Sequence, residues 1–245
     1  MKLSKRLQMV ASLVTAGNRL GDIGTDHGYI PIVLVQQGIC PVAIASDVNK
    51  GPLLRAKEHI EENGLSSKIQ VRLGNGLASI LPGEVDTVLI AGMGGSLIVT
   101  ILEQGKNVRD SAKELVLSPH SDIPKVRAYI MEQGYEIIQE SMVKEDGKYY
   151  VAMKAVLAQQ RETMEKWKEE EIAYGKELLK QKNSVLLEYL RKTENKITII
   201  LQGLQEKGGD ALSQRKLELE QELQVVQKAL ECYKIGFIDQ RQKVK

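Results

Sequence analysis

Between positions 20 and 31 the chain reads Leu-Gly-Asp-Ile-Gly-Thr-Asp-His-Gly-Tyr-Ile-Pro. This short stretch holds two carboxylates (Asp22 and Asp26), an imidazole (His27) and a phenol (Tyr29), spaced by Gly24 and Gly28. Glycines lacking a Cβ let a ligand come close to the backbone. The loop has no lysine to meet a phosphate, so it is not a nucleoside-triphosphate cradle. Its acids suit a ligand that carries a cationic centre and a free amino group.

Further candidates recur downstream. Asp47 closes the apolar run Val-Ala-Ile-Ala-Ser, with Val48 next to it; Asn75 and Gly76 follow Ile-Gln-Val-Arg-Leu-Gly; Gly92, Met93 and Gly94 follow Thr-Val-Leu-Ile-Ala, which ends at Ala91. Each group ends a segment that reads as a strand, and each is followed by a helical pattern. Strands alternating with helices require right-handed crossovers and a parallel sheet, and such sheets bind ligands at the carboxyl ends of their strands. An acid ending the second strand suits the two hydroxyls of a ribose. Dinucleotide-binding folds carry Gly-x-Gly-x-x-Gly after the first strand, whereas this chain has Asp-x-Gly-x-x-x-Gly. Asp22 is placed to hold an ammonium, and the Asn75 amide to meet an adenine edge. The pattern therefore favours S-adenosylmethionine over NAD.

The elements expected to position these residues begin with a helix in which Leu3, Leu7, Val10 and Val14 share a face. Lys2, Lys5 and Arg6 are left to face solvent or a polyanion. Strands are expected over 42–47, 69–73, 87–91, 114–118, 135–142 and 149–157, the last two joined through residues 143–148 with an Asp-Gly turn. His59, among Glu58, Glu61 and Glu62, reads as a solvated surface residue, and His120 lies at the exit of the fifth strand. Beyond Ala158 proline is absent and the chain becomes rich in Lys, Glu, Gln and Leu. Leu186, Leu190, Thr193, Ile197, Ile200 and Leu204 follow a heptad, as do Leu212, Lys216, Leu219, Leu223, Val226, Leu230 and Tyr233. With Gly208-Gly209-Asp210 between them, they read as an antiparallel coiled-coil hairpin. Met164, Trp167, Tyr174 and Leu178 suit one connecting helix that packs this hairpin against the first domain.

The 245 residues suffice for one α/β domain over 1–157 and a helical domain over 158–245. Lys and Arg number 34 against 32 Asp and Glu, so any basic surface must come from local clustering. Cys40 and Cys232 match no metal spacing and read as reduced thiols. No apolar run approaches a membrane span and the first residues make a poor secretory signal, which fits a cytoplasmic protein with neither metal nor membrane. No obligate protein partner is evident.

The runs Asp-Ile-Gly-Thr-Asp-His-Gly-Tyr-Ile-Pro, Gly-Asn-Gly and Ile-Ala-Gly-Met-Gly-Gly resemble the bacterial tRNA (adenine-22-N1)-methyltransferase family, TrmK. The resemblance covers about residues 1–157, and the tail matches that family's C-terminal coiled coil in kind. It implies a Rossmann-like class I methyltransferase sheet, mostly parallel with one antiparallel strand, and a helical coiled-coil domain. Asp22, Gly24, Gly28, Asp47, Val48, Asn75, Gly76, Ala91, Gly92, Met93 and Gly94 are then expected to bind S-adenosyl-L-methionine. Asp26, His27 and Tyr29 are expected at the reaction centre, and Lys2, Lys5 and Arg6 on tRNA. Class I enzymes that methylate exocyclic amines usually end the fourth strand with Asp/Asn-Pro-Pro-aromatic, and here Ala91-Gly92-Met93-Gly94-Gly95 stands instead. That departure fits a ring nitrogen, whose lone pair needs no localising.

Plainer roles remain open at this stage. Asp26 could only cap the following helix, His27 could be a hydrogen-bonded loop residue, Tyr29 could be packing and Met93 a pocket wall. The acceptor could be another RNA or a small molecule, or the fold could serve a non-catalytic adaptor.

Overall fold

A computed structural model of the chain describes residues 2–160, 165–205 and 210–239. The chain divides into two compact units, 1–164 and 165–245.

The first unit is built on a seven-stranded sheet: β1 (Leu20–Ile23), β2 (Ala43–Asp47), β3 (Ile69–Leu73), β4 (Thr87–Ala91), β5 (Glu114–Ser118), β6 (Tyr135–Glu145) and β7 (Lys148–Leu157). The order is β3-β2-β1-β4-β5-β7-β6. Neighbours from β3 to β5 pair in parallel, and β7 pairs antiparallel with both β5 and β6. This is the mostly parallel sheet with one reversed strand that the sequence predicts. Every residue of β1, β2 and β5 is buried, as are the first four of β4, the strand that reads as an almost wholly apolar run. The helices are α1 (Lys5–Ala11), α2 (Tyr29–Gln36), α3 (Lys50–Glu62), α4 (Gly95–Gln104), α5 (Lys106–Ser111) and α6 (Ile123–Glu132). A short 3-10 turn covers Gly76–Ser79.

Three expectations need correction. The β6–β7 ladder runs on to Glu145 opposite Lys148, so only Asp146 and Gly147 form the turn, at φ of +49° and +75°. Two successive left-handed residues match the twist of a tight hairpin and need no longer loop. Helix α5 was not foreseen, because its sequence, Lys-Asn-Val-Arg-Asp-Ser, is polar throughout except for Val108. Its Arg109 is nonetheless buried, donating to the Tyr129 hydroxyl and the Asp110 carboxylate, both at 2.7 Å. The single connecting helix is in fact two, α7 (Glu169–Tyr174) and α8 (Lys176–Lys180), split at Gly175 with φ +96°. Trp167 precedes both.

In the second unit α9 (Ser184–Gln205) and α10 (Asp210–Asp239) pack together. The Asn183 side chain caps α9 by accepting from the amides of Val185 and Leu186. The Tyr233 hydroxyl donates to the Asn183 carbonyl at 2.9 Å, so the late part of α10 lies at the start of α9 and the helices run antiparallel. Leu186, Leu190 and Ile197 are buried, as are Leu219, Val226 and Tyr233, whereas Ile200 is 37% exposed. Met164, Gly208 and Gly209, to which roles were given above, lie outside the described residues. Among the described residues no helix is long and apolar enough to cross a membrane, and no acid, His and Cys cluster could hold a metal. Cys40 and Cys232 are free thiols.

Candidate active site

The parallel register aligns the carboxyl ends of β1, β2 and β4 along one edge. The loop after β1 is pinned there because the amides of Gly24 and Thr25 both donate to the Ser46 carbonyl. Gly24, Asp26 and Gly28 have φ of +73°, +51° and +70°. Glycine adopts this conformation freely and Asp26 does so at a cost, so the loop is held by what surrounds it. A Cβ on Gly24 would lie 2.1 Å from Met93 Cε, so the Met93 methyl covers the bare face of that glycine.

A cleft of about 280 Å³ opens at this edge, lined by Asp22, Gly24, Thr25, Asp26, His27 and Tyr29 on one side and by Arg6, Ala91, Gly92 and His120 among others. Asp22 is only 4% exposed, and its carboxylate accepts a 2.6 Å hydrogen bond from the Thr25 hydroxyl. Burial pushes this carboxyl up to about 6, with Thr25 pulling it down and Asp47 pushing it further up. A buried carboxylate with one hydroxyl donor calls for a cation, and the ammonium of an amino acid moiety meets that need.

Asp47 ends β2, buried, with Oδ1 accepting from the Asn49 amide at 2.8 Å and Oδ2 from the Asp26 amide at 3.4 Å. It lies along the edge from the cleft toward β3, as do the exposed Val48 and Asn75. Gly76 starts the 3-10 turn at φ +56°. Met93 and Gly94 stand between β4 and α4, where Gly94 bridges Ser121. The sequence-derived set thus divides in two. Asp22, Gly24, Asp26, His27, Tyr29, Ala91 and Gly92 share one cleft, whereas Gly28, Asp47, Val48, Asn75, Gly76, Met93 and Gly94 lie outside its lining.

Asp26 does not cap α2: the N-cap is Gly28, with no side-chain cap hydrogen bond. Its carboxylate instead meets Arg55 Nη2 at 3.2 Å and stands 3.5 Å from His27 Nε2. His27 Nδ1 is buried without a hydrogen-bond partner among the described residues. An Nε2–H facing Asp26 and a bare Nδ1 lone pair is the tautomer that this arrangement favours.

His59 is not a solvated residue. Its Nδ1 lies 2.9 Å from the His27 carbonyl, and its ring stacks on Tyr29 and His27 at centroid distances of 5.3 and 5.6 Å. The helical repeat turns it to the same side of α3 as Ala56, which faces Gly28, while the neighbouring glutamates point elsewhere. Arg6 is not a free surface cation either. Its guanidinium lies 3.0 Å from His120 Nε2 and over the Tyr150 ring at 5.5 Å, so it turns into the cleft beside Gly92. Burial, with the charges of Arg6 and Lys148, holds His120 below its ordinary range, leaving Nε2 able to accept from Arg6. Lys2 and Lys5 are exposed, and the Lys5 amide donates to Glu145. Thr25, Arg55, His59 and His120 are site residues the sequence reading did not assign. The i, i+4 spacing of Arg55 and His59 was the one signal for that pair.

A parallel sheet closed by a reversed hairpin, with acids at the ends of β1 and β2, is the architecture of a Rossmann-like methyltransferase. Residues 3–153 match the family model described as Methyltransferase domain. Over 155 residues the chain is 43% identical to the Bacillus subtilis tRNA (adenine(22)-N(1))-methyltransferase, covering 63% of this chain and 65% of that protein. The solved Bacillus subtilis m1A22 tRNA methyltransferase TrmK superposes with a TM-score of 0.83 at 33% identity, covering 93% of this chain and 98% of that one. A Streptococcus pneumoniae chain solved in complex with S-adenosyl-L-methionine superposes equally well, with a TM-score of 0.83, 33% identity, and 94% and 100% coverage. The chain belongs to the tRNA (adenine-22-N1)-methyltransferase family.

Proposed function

We propose that this protein methylates N1 of adenine 22 in tRNA, using S-adenosyl-L-methionine. The observation that carries the reading is the buried Asp22 carboxylate, held by the Thr25 hydroxyl and lining the same cleft as Asp26, His27 and Tyr29. The residues fit the cofactor. Asp22 takes the ammonium, Asp47 the ribose hydroxyls and Asn75 the adenine edge, Gly24 and the loop through Gly92, Met93 and Gly94 line the path, and Gly28, packed on Ala56, shapes the turn behind it. Bound there, the cofactor supplies an electrophilic methyl on a sulfonium.

The chain's own residues then bind and orient the acceptor. Adenine N1 carries an in-plane lone pair, so no side chain need remove a proton from it. In a duplex N1 is paired, so the base must be unpaired and held outside its stack. Tyr29 offers it a face, and the Asp26 carboxylate accepts from its exocyclic amino group. That contact strengthens as positive charge develops on the ring, which is transition-state stabilisation. Lys2 and Lys5 meet the RNA backbone, Arg6 faces the acceptor from the cleft wall where His120 and Tyr150 hold it, and the helical unit, read as an antiparallel coiled coil, supplies further tRNA contacts. Such a substrate places the protein in the cytoplasm.

The test is transfer of labelled methyl to a tRNA transcript, with the product mapped by reverse-transcription arrest. Label should be lost when A22 is replaced by guanosine. Asp26→Ala should lower the single-turnover rate by one to two decades, the equivalent of a hydrogen bond to a charged group worth about 1.5–3 kcal/mol. Cofactor affinity should hold. Labelling that survives the loss of A22 refutes the reading.

A further inference from the structure

Helix α3 touches the reactive loop at three successive points. Arg55 meets the Asp26 carboxylate at 3.2 Å, Ala56 abuts Gly28, and His59 reaches the His27 carbonyl at 2.9 Å. His59 also lies nearly parallel to both rings it stacks against, tilted 16° from Tyr29 and 24° from His27, while Tyr29 and His27 are within 9° of each other. His59 stands four residues after Arg55 and three after Ala56, so each is its neighbour on the helix surface, and one side of α3 spanning about 100° grips the loop from Asp26 to Tyr29.

Stability does not explain the grip. The Asp26 and Arg55 side chains are 60% and 47% exposed, and an exposed ion pair contributes little to folding. Nor does α3 end in the cleft, since neither Arg55 nor His59 is among its lining residues. What the contacts do determine is geometry. Asp26 holds a left-handed backbone, a conformation that persists at a residue with a Cβ only where its surroundings impose it. Apart from His27 of the same loop, whose Nε2 stands 3.5 Å away, Arg55 is what restrains the Asp26 carboxylate among the described residues.

We propose that the Arg55, Ala56 and His59 face of α3 is a clamp that sets the reactive loop, with Arg55 and His59 as positioning residues for Asp26 and His27. Arg55 fixes the rotamer in which Asp26 presents its other oxygen to the acceptor base. His59 donates Nδ1–H to the His27 carbonyl and so fixes the peptide joining His27 to Gly28. The role of the clamp in catalysis rests on the methyltransferase reading above, but the clamp itself can be tested without it.

Two measurements on the full chain decide the matter. In single turnover at saturating cofactor and tRNA, Arg55→Ala and His59→Ala should each slow methyl transfer about tenfold, with cofactor dissociation constants within twofold of wild type. Arg55→Lys should recover most of the rate, as should His59→Asn, whose amide stands where Nδ1 stood. In an Asp26→Ala background, Arg55→Ala should cost nothing further. By hydrogen exchange, amides 24–28 should exchange at least threefold faster in both Ala variants, while β1 amides are unchanged. An Arg55→Ala enzyme as fast as wild type overturns the proposal. So does a loss that adds in full to that of Asp26→Ala, a fall in cofactor affinity matching the fall in rate, or unchanged exchange at 24–28. If wild type itself fails to methylate tRNA, the functional reading falls, and the exchange result alone still decides the clamp.

Discussion

Two buried acids sit at opposite edges of the same sheet, and their surroundings differ completely. Glu114 opens β5 and is 3% exposed; Asp22 lies near the end of β1 and is 4% exposed. The Glu114 carboxylate accepts from the Thr15 amide at 2.9 Å, the Thr15 hydroxyl at 2.5 Å and the Thr87 hydroxyl at 2.7 Å, and it pairs with Lys154 at 2.9 Å. Burial alone would push its pKa up, but these donors hold it below the usual carboxylate range. Asp22 has the Thr25 hydroxyl and, among the described residues, no cation, so burial prevails and its carboxyl rises to about 6. At equal burial, the acid with a complete set of partners belongs to the scaffold. The acid left short of them belongs to the ligand.

The comparison breaks most readily at Asp22. Asn there retains the shape and the acceptor for Thr25 but loses the charge. Cofactor affinity should fall about 100-fold, since a charge-assisted contact worth about 1.5–3 kcal/mol goes together with the matching ammonium. Thermal stability at pH 7 should rise, because a carboxyl held about two units above its ordinary value carries up to about 3 kcal/mol of strain when ionised. Calorimetry and melting curves read the two effects separately. An Asn variant that melts lower and still binds the cofactor would overturn the assignment.

At the other edge the expectation is reversed. Glu114→Gln leaves Lys154 without its counter-charge, and breaking one partner of a buried pair costs about 3 kcal/mol. Denaturant melts should show that loss while cofactor affinity stays within twofold. A Glu114→Gln protein as stable as wild type would mean that the network is incidental.

Much of this contrast was legible in the sequence, and the reasons are physical. Strands β4 and β5 fall where their apolar runs begin and end, because strands covered on both faces leave little ambiguity, and β3, at the sheet edge, falls where its alternation of apolar and polar residues does. Once the elements alternate, Asp22, Asp47 and Ala91 must reach the same edge, so the outline of the site followed from topology. What could not be read was the direction in which each surface turns. Helical period gives α3 a face holding Arg55, Ala56 and His59, but no spacing says that this face meets the loop at Asp26. The same holds for Arg6, expected in solvent and found on His120, and for Met93, found over Gly24. Glu114 read only as the start of a strand, since its partners come from positions 15, 87 and 154.

The smallest effect is the one that sharpens the comparison furthest, because it follows both acids in one protein. A carboxyl whose folded pKa is raised contributes stability that is complete below its unfolded value, about 4, and is lost as pH rises through about 6. For Glu114 the folded value is depressed, so its contribution is present above its unfolded value and is lost as pH falls through the folded one. Cofactor binding sees only the first acid. An ammonium needs Asp22 ionised, and at pH 5 about one tenth of a carboxyl with a pKa near 6 is ionised. Affinity should therefore weaken about tenfold between pH 7 and pH 5, while binding itself draws the Asp22 pKa down. In Asp22→Asn the weak residual affinity should show none of this dependence, whereas in Glu114→Gln it should persist unchanged. Titration calorimetry in buffers of different ionisation enthalpy checks the mechanism, since near pH 6, where Asp22 is half protonated, binding to wild type should release about half a proton per site. A profile that stays flat in wild type, or that persists in Asp22→Asn, would move the titrating group away from Asp22 and remove the contrast on which the site was assigned.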